Sequence, residues 1–306
     1  MEIHEKRTES IWQWKNLEVS WCKHGDNLNN LPSLLLIHGF GACKEHWRFN
    51  QPALGEFTNC FSLDLIGFGK SSQPKSKIIG EQKKDGNFNY CFDNWANQVS
   101  EFSKEIIKGD VILIGNSIGG VIALRAAQLL KNTCKSVVLI NCAQRQMDDK
   151  RLNEMSIPSR LFRPVLKTLV RKRWLSKNLF RNAANTTVIK NVLKQAYPSG
   201  SNVNDELIQI LLKPSQREGA PEAFRGFINL FDDYLAPQLI SNLTIPIDMI
   251  WGESDPWEPL SEAKKWKNKF STIRSFTKIS NAGHCPHDES PELVNQEIIK
   301  IIQQAT

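Results

Sequence analysis

Ser117 lies in a pattern that suits a nucleophile. Residues 115–119 are Gly-Asn-Ser-Ile-Gly, an apolar run at residues 111–114 comes directly before them, and a helix-compatible stretch at residues 119–131 follows. A tight turn between a strand and a helix needs small residues on both sides of the serine, and here both are glycine. The pattern predicts a Ser117 hydroxyl held above the edge of a sheet, next to the positive end of a helix. An ordinary glycine-rich turn is the alternative.

A serine nucleophile needs a base, and the base needs an acid that orients it. His284, in Asn-Ala-Gly-His-Cys-Pro-His at residues 281–287, follows the last predicted strand, so we predict that it is the base. Asp255, in Trp-Gly-Glu-Ser-Asp-Pro-Trp at residues 251–257, follows another predicted strand, and we predict that it is the acid. Serine, aspartate, histidine is one of three common triad orders. Three alternatives stay open: His287 for the base, and Glu253 or Asp148 for the acid.

An anionic reaction intermediate also needs two backbone donors. Residues 38–41, His-Gly-Phe-Gly, follow a predicted strand, and their glycines allow an N–H group to turn inward. We therefore predict that the amides of Phe40 and Ile118 bind the oxyanion. The residues around these motifs are aromatic or uncharged, which favours an uncharged substrate with an apolar part. The predicted substrate contacts are His46, Trp47, Asn116 and Trp257.

The candidate site residues must be positioned by strands and helices. In the sequence, short apolar runs alternate with helix-length stretches. Runs buried on both faces and separated by helices are typical of an α/β fold with a mostly parallel, doubly wound sheet. Residues 11–14 and 17–21 alternate apolar and polar side chains and predict an antiparallel edge hairpin. The predicted strands cover residues 33–37, 60–65, 111–114, 136–140, 247–251 and 274–279, and the helices residues 93–107, 119–131, 259–269 and 291–304.

The alternation stops between residues 147 and 242, where the sequence is helical with breaks at prolines. A long helical insertion between two strands of one sheet predicts a cap over the carboxyl edge of that sheet. We therefore divide the chain into a core of residues 1–146 and 243–306 and a helical cap of residues 147–242. Aromatic side chains in the cap are expected mainly to pack, and some of them to face the site.

Composition narrows the possible classes of protein. The 306 residues are 41% hydrophobic and 23% charged, so a chain of this length buries a large core without disulfides. Seven widely spaced cysteines without a Cys-x-x-Cys pair predict free thiols in a reducing compartment. The first ten residues lack the apolar run of a secretory signal, so we expect a cytoplasmic protein. The sequence has no nucleotide-binding fingerprint and no paired metal ligands beyond His284 and His287, and we expect neither cofactor nor metal.

The formal net charge of +7 comes from one segment. Residues 150–190 contain eleven basic residues and one acid, and apolar and basic residues interleave at helical spacing over residues 162–177. Such a helix is suited to the surface of an anionic membrane. A solvated cap helix is the equally open alternative. Nucleic acid is not expected as a partner, because no binding motif accompanies the charge.

Together these motifs resemble the α/β-hydrolase superfamily from about residue 11 to residue 304. The sequences HGFGACKEHWRFN, DLIGFGKS, FDNW, GNSIGG, LINCAQRQ, WGESDPWEP and GHCPHDESPELVN are similar to those of the cyanobacterial and plant group that contains chlorophyll dephytylase and pheophytinase. In that group asparagine precedes the serine, as Asn116 does here. The serine separates the chain from dehalogenases and epoxide hydrolases, which use aspartate at that position.

The resemblance implies a serine esterase acting through Ser117, Asp255 and His284. Its substrate is expected to be a carboxylic ester with a bulky apolar group, and the narrower resemblance implies the phytol ester of a chlorophyll-type pigment, met at a thylakoid membrane. The open alternatives are a general carboxylesterase or lipase, a carbon–carbon bond hydrolase, and a ligand-binding protein without turnover.

Overall fold

A computed structural model describes residues 7–26, 31–78, 80–81 and 86–304. Eight strands form a single sheet in the order β1-β2-β4-β3-β5-β6-β7-β8. Both pairs that include β2 are antiparallel, and the other five pairs are parallel. The strands are β1 Thr8–Trp14, β2 Leu17–His24, β3 Ser33–Ile37, β4 Cys60–Leu63, β5 Val111–Asn116, β6 Cys134–Ile140, β7 Ile247–Gly252 and β8 Ile273–Ile279.

Helices cover both faces of the sheet, as in a doubly wound fold. They are α1 Asn50–Gly55, α2 Phe92–Phe102, α3 Ile118–Leu130, α4 Ile157–Arg171, α5 Arg173–Ala183, α6 Thr186–Ala196, α7 Asp205–Ser215, α8 Ala220–Ile228, α9 Ala236–Ile240, α10 Leu260–Lys269, α11 Pro286–Glu289 and α12 Pro291–Gln303. A wider turn continues α2 over Ser103–Ile107. No helix within the described ranges has both the length and the apolar character that crossing a bilayer requires.

The central strands are buried on both faces, which is why their sequences are continuous apolar runs. Every residue of β3, β4 and β5 is buried. Separate apolar clusters lie on the two faces of the sheet. The mostly parallel sheet predicted from the sequence is confirmed. The strand predicted over residues 60–65 is shorter, because the Asp64 carboxylate accepts the amides of Lys44 and Lys70, at 2.7 and 2.8 Å, and the chain turns there.

The predicted cap occupies the connection between β6 and β7. Helices α4 to α9 lie in it, and its described residues form no strand. One small apolar cluster joins it to the core, because Leu193, Tyr197 and Leu207 pack with Cys285. Cap and core therefore share an apolar contact close to His284. The division at residues 147 and 242 into separate units stays a prediction.

Candidate active site

Ser117 occupies a sharp turn between β5 and α3. Its backbone dihedrals are φ +56° and ψ −122°, a conformation that is strained for a residue with a side chain. A Cβ on Gly115 would lie 2.2 Å from the Gly119 carbonyl oxygen, and one on Gly119 would lie 2.3 Å from the Ile37 carbonyl oxygen. The strained turn is held by the Ser117 N–H, which donates to the Ile140 carbonyl at 3.0 Å. The Ser117 side chain is 8% exposed at this edge of the sheet.

Asp255 and His284 meet at the same edge. The His284 Nδ1 and Asp255 Oδ2 atoms are 2.9 Å apart. The other oxygen of Asp255 accepts the amides of Trp257 and Glu258, at 2.8 and 3.1 Å. Burial alone would raise the pKa of Asp255, but the hydrogen bonds from His284, Trp257 and Asn141 outweigh burial and hold the pKa below its ordinary value. The carboxylate therefore stays charged and fixes the His284 ring, leaving Nε2 as the nitrogen free for proton transfer.

Asn116 joins the serine turn to the His284 loop. Its Nδ2 donates to the His284 carbonyl at 3.0 Å and to the Ile140 carbonyl at 3.2 Å. Among the described residues, no hydrogen bond joins Ser117 Oγ to the His284 ring. Such bonds are often long in enzymes without substrate. The backbone around both side chains is thus fixed, while the final contact between them is not made.

Two amides beside Ser117 have no acceptor within the described part of the chain: the N–H groups of Phe40 and Ile118. The loop that carries Phe40 touches the serine, since a Cβ on Gly39 would lie 3.1 Å from Ser117 Cβ. Free N–H groups next to a candidate nucleophile are what an oxyanion site requires.

His38 fixes the peptide that carries the Phe40 N–H. Its Nε2 accepts the Leu65 amide at 3.1 Å, so its Nδ1 carries the hydrogen and donates to the Gly39 carbonyl at 2.8 Å. Burial lowers the pKa of His38 to about 4, which keeps the ring neutral near pH 7. Because a trans peptide directs its C=O and N–H in opposite directions, this bond directs the Phe40 N–H away from His38.

The sequence analysis did not identify Asn141, which the structure places beside the candidate acid. Its Nδ2 donates to Asp255 Oδ2 at 2.6 Å and to the Gly283 carbonyl at 3.2 Å. Its Oδ1 accepts the Gly252 amide at 2.9 Å. One buried amide thus ties together the acid, the strand before it and the His284 loop. The only signal in the sequence was the position of Asn141 directly after a predicted strand.

The four predicted substrate contacts have different surroundings. Trp257 is exposed, and its ring centroid lies 4.8 Å from that of His284. His46 is buried, with Nε2 2.7 Å from the Tyr197 hydroxyl. Asn116 is buried and positions backbone, as described above, so it offers little surface to a substrate.

The prediction for Trp47 is wrong. Its side chain is fully buried in the apolar cluster beneath the sheet and lies against the His287 ring, with 4.3 Å between the ring centroids. The residue follows the oxyanion loop in sequence, but the turn at Lys44–Trp47 directs its ring into the core.

The alternative acids and the alternative base form no described contact with Asp255 or His284. Asp148 is buried against Arg145, and Glu253 pairs with Lys278 at 3.3 Å on the surface. His287 is fully buried beside His46 and Trp47, where burial holds its pKa well below the ordinary value. The structure therefore brings Asp255, and not the other two acids, to His284.

The cap covers the site with apolar side chains. The His284 amide donates to the carbonyl of Ala196 at the end of α6, at 2.9 Å. From α8, the Phe227 ring stacks on Phe40 with 4.0 Å between centroids. A cavity of about 60 Å³ lies beside Phe40 and is lined largely by apolar groups, including Phe180 and Phe224. The surroundings suit an uncharged ligand.

Comparison with known proteins identifies the family and the fold. The model of a family described as the alpha/beta hydrolase fold matches residues 32–291. The chain belongs to the α/β-hydrolase family. This α/β-hydrolase is 27% identical to a chloroplastic pheophytinase of Arabidopsis thaliana, with 96% of the chain and 66% of the relative aligned. It therefore spans slightly less than two thirds of that relative's length.

A second relative of this α/β-hydrolase is the uncharacterized hydrolase YugF of Bacillus subtilis (strain 168), 27% identical over 89% of the chain and 90% of the relative. Among solved structures, the epoxide hydrolase CorEH matches with a TM-score of 0.77 and 16% identity, covering 98% of this chain and all of that one. A membrane phospholipase A matches with a TM-score of 0.72 and 24% identity, over 98% and 87% of the two chains. The structural matches show the fold.

Proposed function

We propose that this α/β-hydrolase is a serine esterase that cleaves a carboxylic ester with a bulky apolar group. The observation that carries the proposal is the strained Ser117 turn at the sheet edge where Asp255 holds His284. Beside it lie two amides for which the described residues provide no acceptor. Each part of that arrangement has a role in acyl transfer to serine.

The proposed reaction has two halves. His284 Nε2 takes the proton of Ser117, whose oxygen attacks the ester carbonyl, and the amides of Phe40 and Ile118 bind the negative oxygen that forms. The bond between the carbonyl carbon and the alcohol oxygen then breaks, and His284 gives its proton to the leaving alcohol. Water, deprotonated by His284, attacks the acyl-enzyme and releases the acid and Ser117. Asp255 stays ionised and stabilises the imidazolium.

We further propose that the alcohol is phytol and that the acid is a chlorophyll-type pigment. The support is the similarity to a plant pheophytinase together with the aromatic surroundings of Phe40. The cytoplasmic location, at the surface of a thylakoid membrane, stays a prediction.

The experiment compares pheophytin a, chlorophyll a and p-nitrophenyl esters as substrates, with released phytol measured by chromatography. We expect phytol from at least one pigment, and no product from any substrate with Ser117→Ala. If only the simple esters were cleaved, the pigment would be excluded as the substrate, but the proposed esterase activity would stand. If Ser117→Ala kept full activity, the proposed mechanism would be overturned.

A further inference from the structure

Helix α4 turns its apolar side away from the protein. Leu161, Val165 and Leu169 recur at every fourth position and form one row along the helix, 75%, 51% and 37% exposed. Phe162 borders the row and is 58% exposed. The following helix, α5, adds Trp174 and Leu179, both more than half exposed. Large apolar side chains that gather on one surface mark a site of contact with a partner or a membrane.

The charged side of α4 faces inward instead. Arg163 is buried, and its Nε donates to Asp149 Oδ1 at 2.7 Å, while Lys167 forms an ion pair with the same carboxylate. Both cations also lie about 5 Å from the centroid of the Phe231 ring. These contacts fix the rotation of the helix, so the exposure of the apolar row follows from the packing of its opposite side.

Helices α4 and α5 are also rich in basic residues. Residues 157–183 contain eight lysines and arginines and no acidic residue. Several of these basic side chains have no acidic partner among the described residues: Arg160, Arg171, Lys172, Lys177 and Arg181. Exposed apolar side chains on helices that also carry these cations complement a lipid surface with negative headgroups. A protein partner would need apolar side chains together with acidic ones.

We infer that the surface of Leu161, Phe162, Val165, Leu169, Trp174 and Leu179, here called the docking face, binds an anionic lipid bilayer. Docking would bring the cap to the phase in which apolar esters dissolve. On α5, Leu179 belongs to the docking face, and its neighbour Phe180 lines the cavity beside Phe40, with its ring centroid 5.1 Å from that of Phe224. The docking face and this cavity are thus separated by a single helix. The purpose of docking rests on the proposed function, but docking itself does not require Ser117.

The experiment is sedimentation of the full chain with vesicles of phosphatidylcholine alone or mixed with phosphatidylglycerol. We expect binding to the anionic vesicles, weakened by high salt. Leu161→Glu should lower the partition coefficient roughly tenfold, because a leucine that leaves water on docking is replaced by a charged side chain. The matched control is Leu293→Glu on α12, another exposed leucine, at 51% against 75% for Leu161, that lies on the core. It should bind as the unchanged chain does.

Two further measurements separate the possible failures. Ser117→Ala should bind vesicles normally, and Leu161→Glu should keep full activity on a water-soluble ester, so that loss of docking and loss of catalysis are independent results. Absence of binding to anionic vesicles, or equal losses in Leu161→Glu and Leu293→Glu, would overturn the inference. So would light scattering that shows a dimer dissociated by Leu161→Glu, since the docking face would then bind a second copy.

Discussion

Asn141 helps to fix the orientation of Asp255. It donates a 2.6 Å hydrogen bond to the carboxylate and also holds Gly252 and Gly283. A hydrogen bond to a charged group contributes about 1.5–3 kcal/mol. We therefore predict that Asn141→Ala lowers kcat roughly ten- to a hundredfold with little change in KM, measured by steady-state ester hydrolysis.

Asn229 provides the control for that prediction. Its amide also donates to two backbone carbonyls, those of Val170 and Arg225, but it lies in the cap without contact to Asp255 or His284. Asn229→Ala should leave kcat within about twofold. Equal losses of kcat in both variants would mean that Asn141 supports the fold and has no special effect on the acid.

Glu258 makes stability depend on pH. Burial, together with the nearby Asp255 charge, raises its pKa from 4.5 to about 8. Between pH 4.5 and pH 8 the folded chain therefore keeps a proton that the unfolded chain loses. In this range the free energy of unfolding falls as pH rises, by about 1.4 kcal/mol per pH unit at most. Glu258→Gln cannot titrate and should raise Tm at pH 8 by several degrees while changing it little near pH 4.5. A Tm difference independent of pH, measured by thermal melts, would contradict this assignment.

The candidate site residues could be proposed from the sequence because each lies in a short motif near a strand. Ser117 has its glycines two positions away, and Asp255 and His284 lie a few positions after predicted strands. Asn141 has no such local mark, since its partners lie more than a hundred positions away in sequence. Contacts of that range follow from the order of strands in the sheet, which a single sequence does not reveal.

Among the elements, the turn from β5 to α3 is closely packed against neighbouring backbone. A Cβ on Gly119 would come within 2.3 Å of the Ile37 carbonyl and 2.8 Å of the His38 carbonyl, and backbone atoms cannot move aside easily. We predict that Gly119→Ala lowers the free energy of unfolding by about 1–3 kcal/mol, measured by urea denaturation. It should also lower activity, because His38 begins the loop that carries the Phe40 amide.

Gly109 is the matched position for this test. A Cβ there would have the Ile107 carbonyl oxygen as its nearest neighbour, 4.0 Å away. Gly109→Ala should therefore change the free energy of unfolding by no more than about 0.5 kcal/mol. If both alanine variants were equally stable, the close packing of β3 against α3 would not be what requires glycine at position 119.

Helix α4 shows where prediction at the scale of elements ends. Its mixture of apolar and basic residues predicts an amphipathic helix, and the structure has that helix. Which side faces the protein is decided by Asp149 and Phe231, which lie outside the helix. The sequence pattern alone left the orientation of the leucines open, and the tertiary contacts of Arg163 and Lys167 decide it.

At the scale of the whole molecule, the sheet and the presence of a helical cap were predictable, but the contacts between cap and core were not. Buried parallel strands have continuous apolar sequences, so their number and order along the chain could be identified, and the family match agrees. The cap contacts the core through separate points, among them Tyr197 with His46 and Phe227 with Phe40. Such isolated contacts produce no periodic pattern in the sequence. Because the size of the substrate site depends on them, it could not be derived from the sequence.

The central claim is that Ser117 is the nucleophile of this hydrolase. The most direct measurement is labelling with a fluorophosphonate, followed by mass spectrometry of the proteolytic peptides. We predict one adduct, on the peptide that contains Ser117, and no adduct on the folded Ser117→Ala variant. An adduct on another serine, or full ester hydrolysis by Ser117→Ala, would contradict the account.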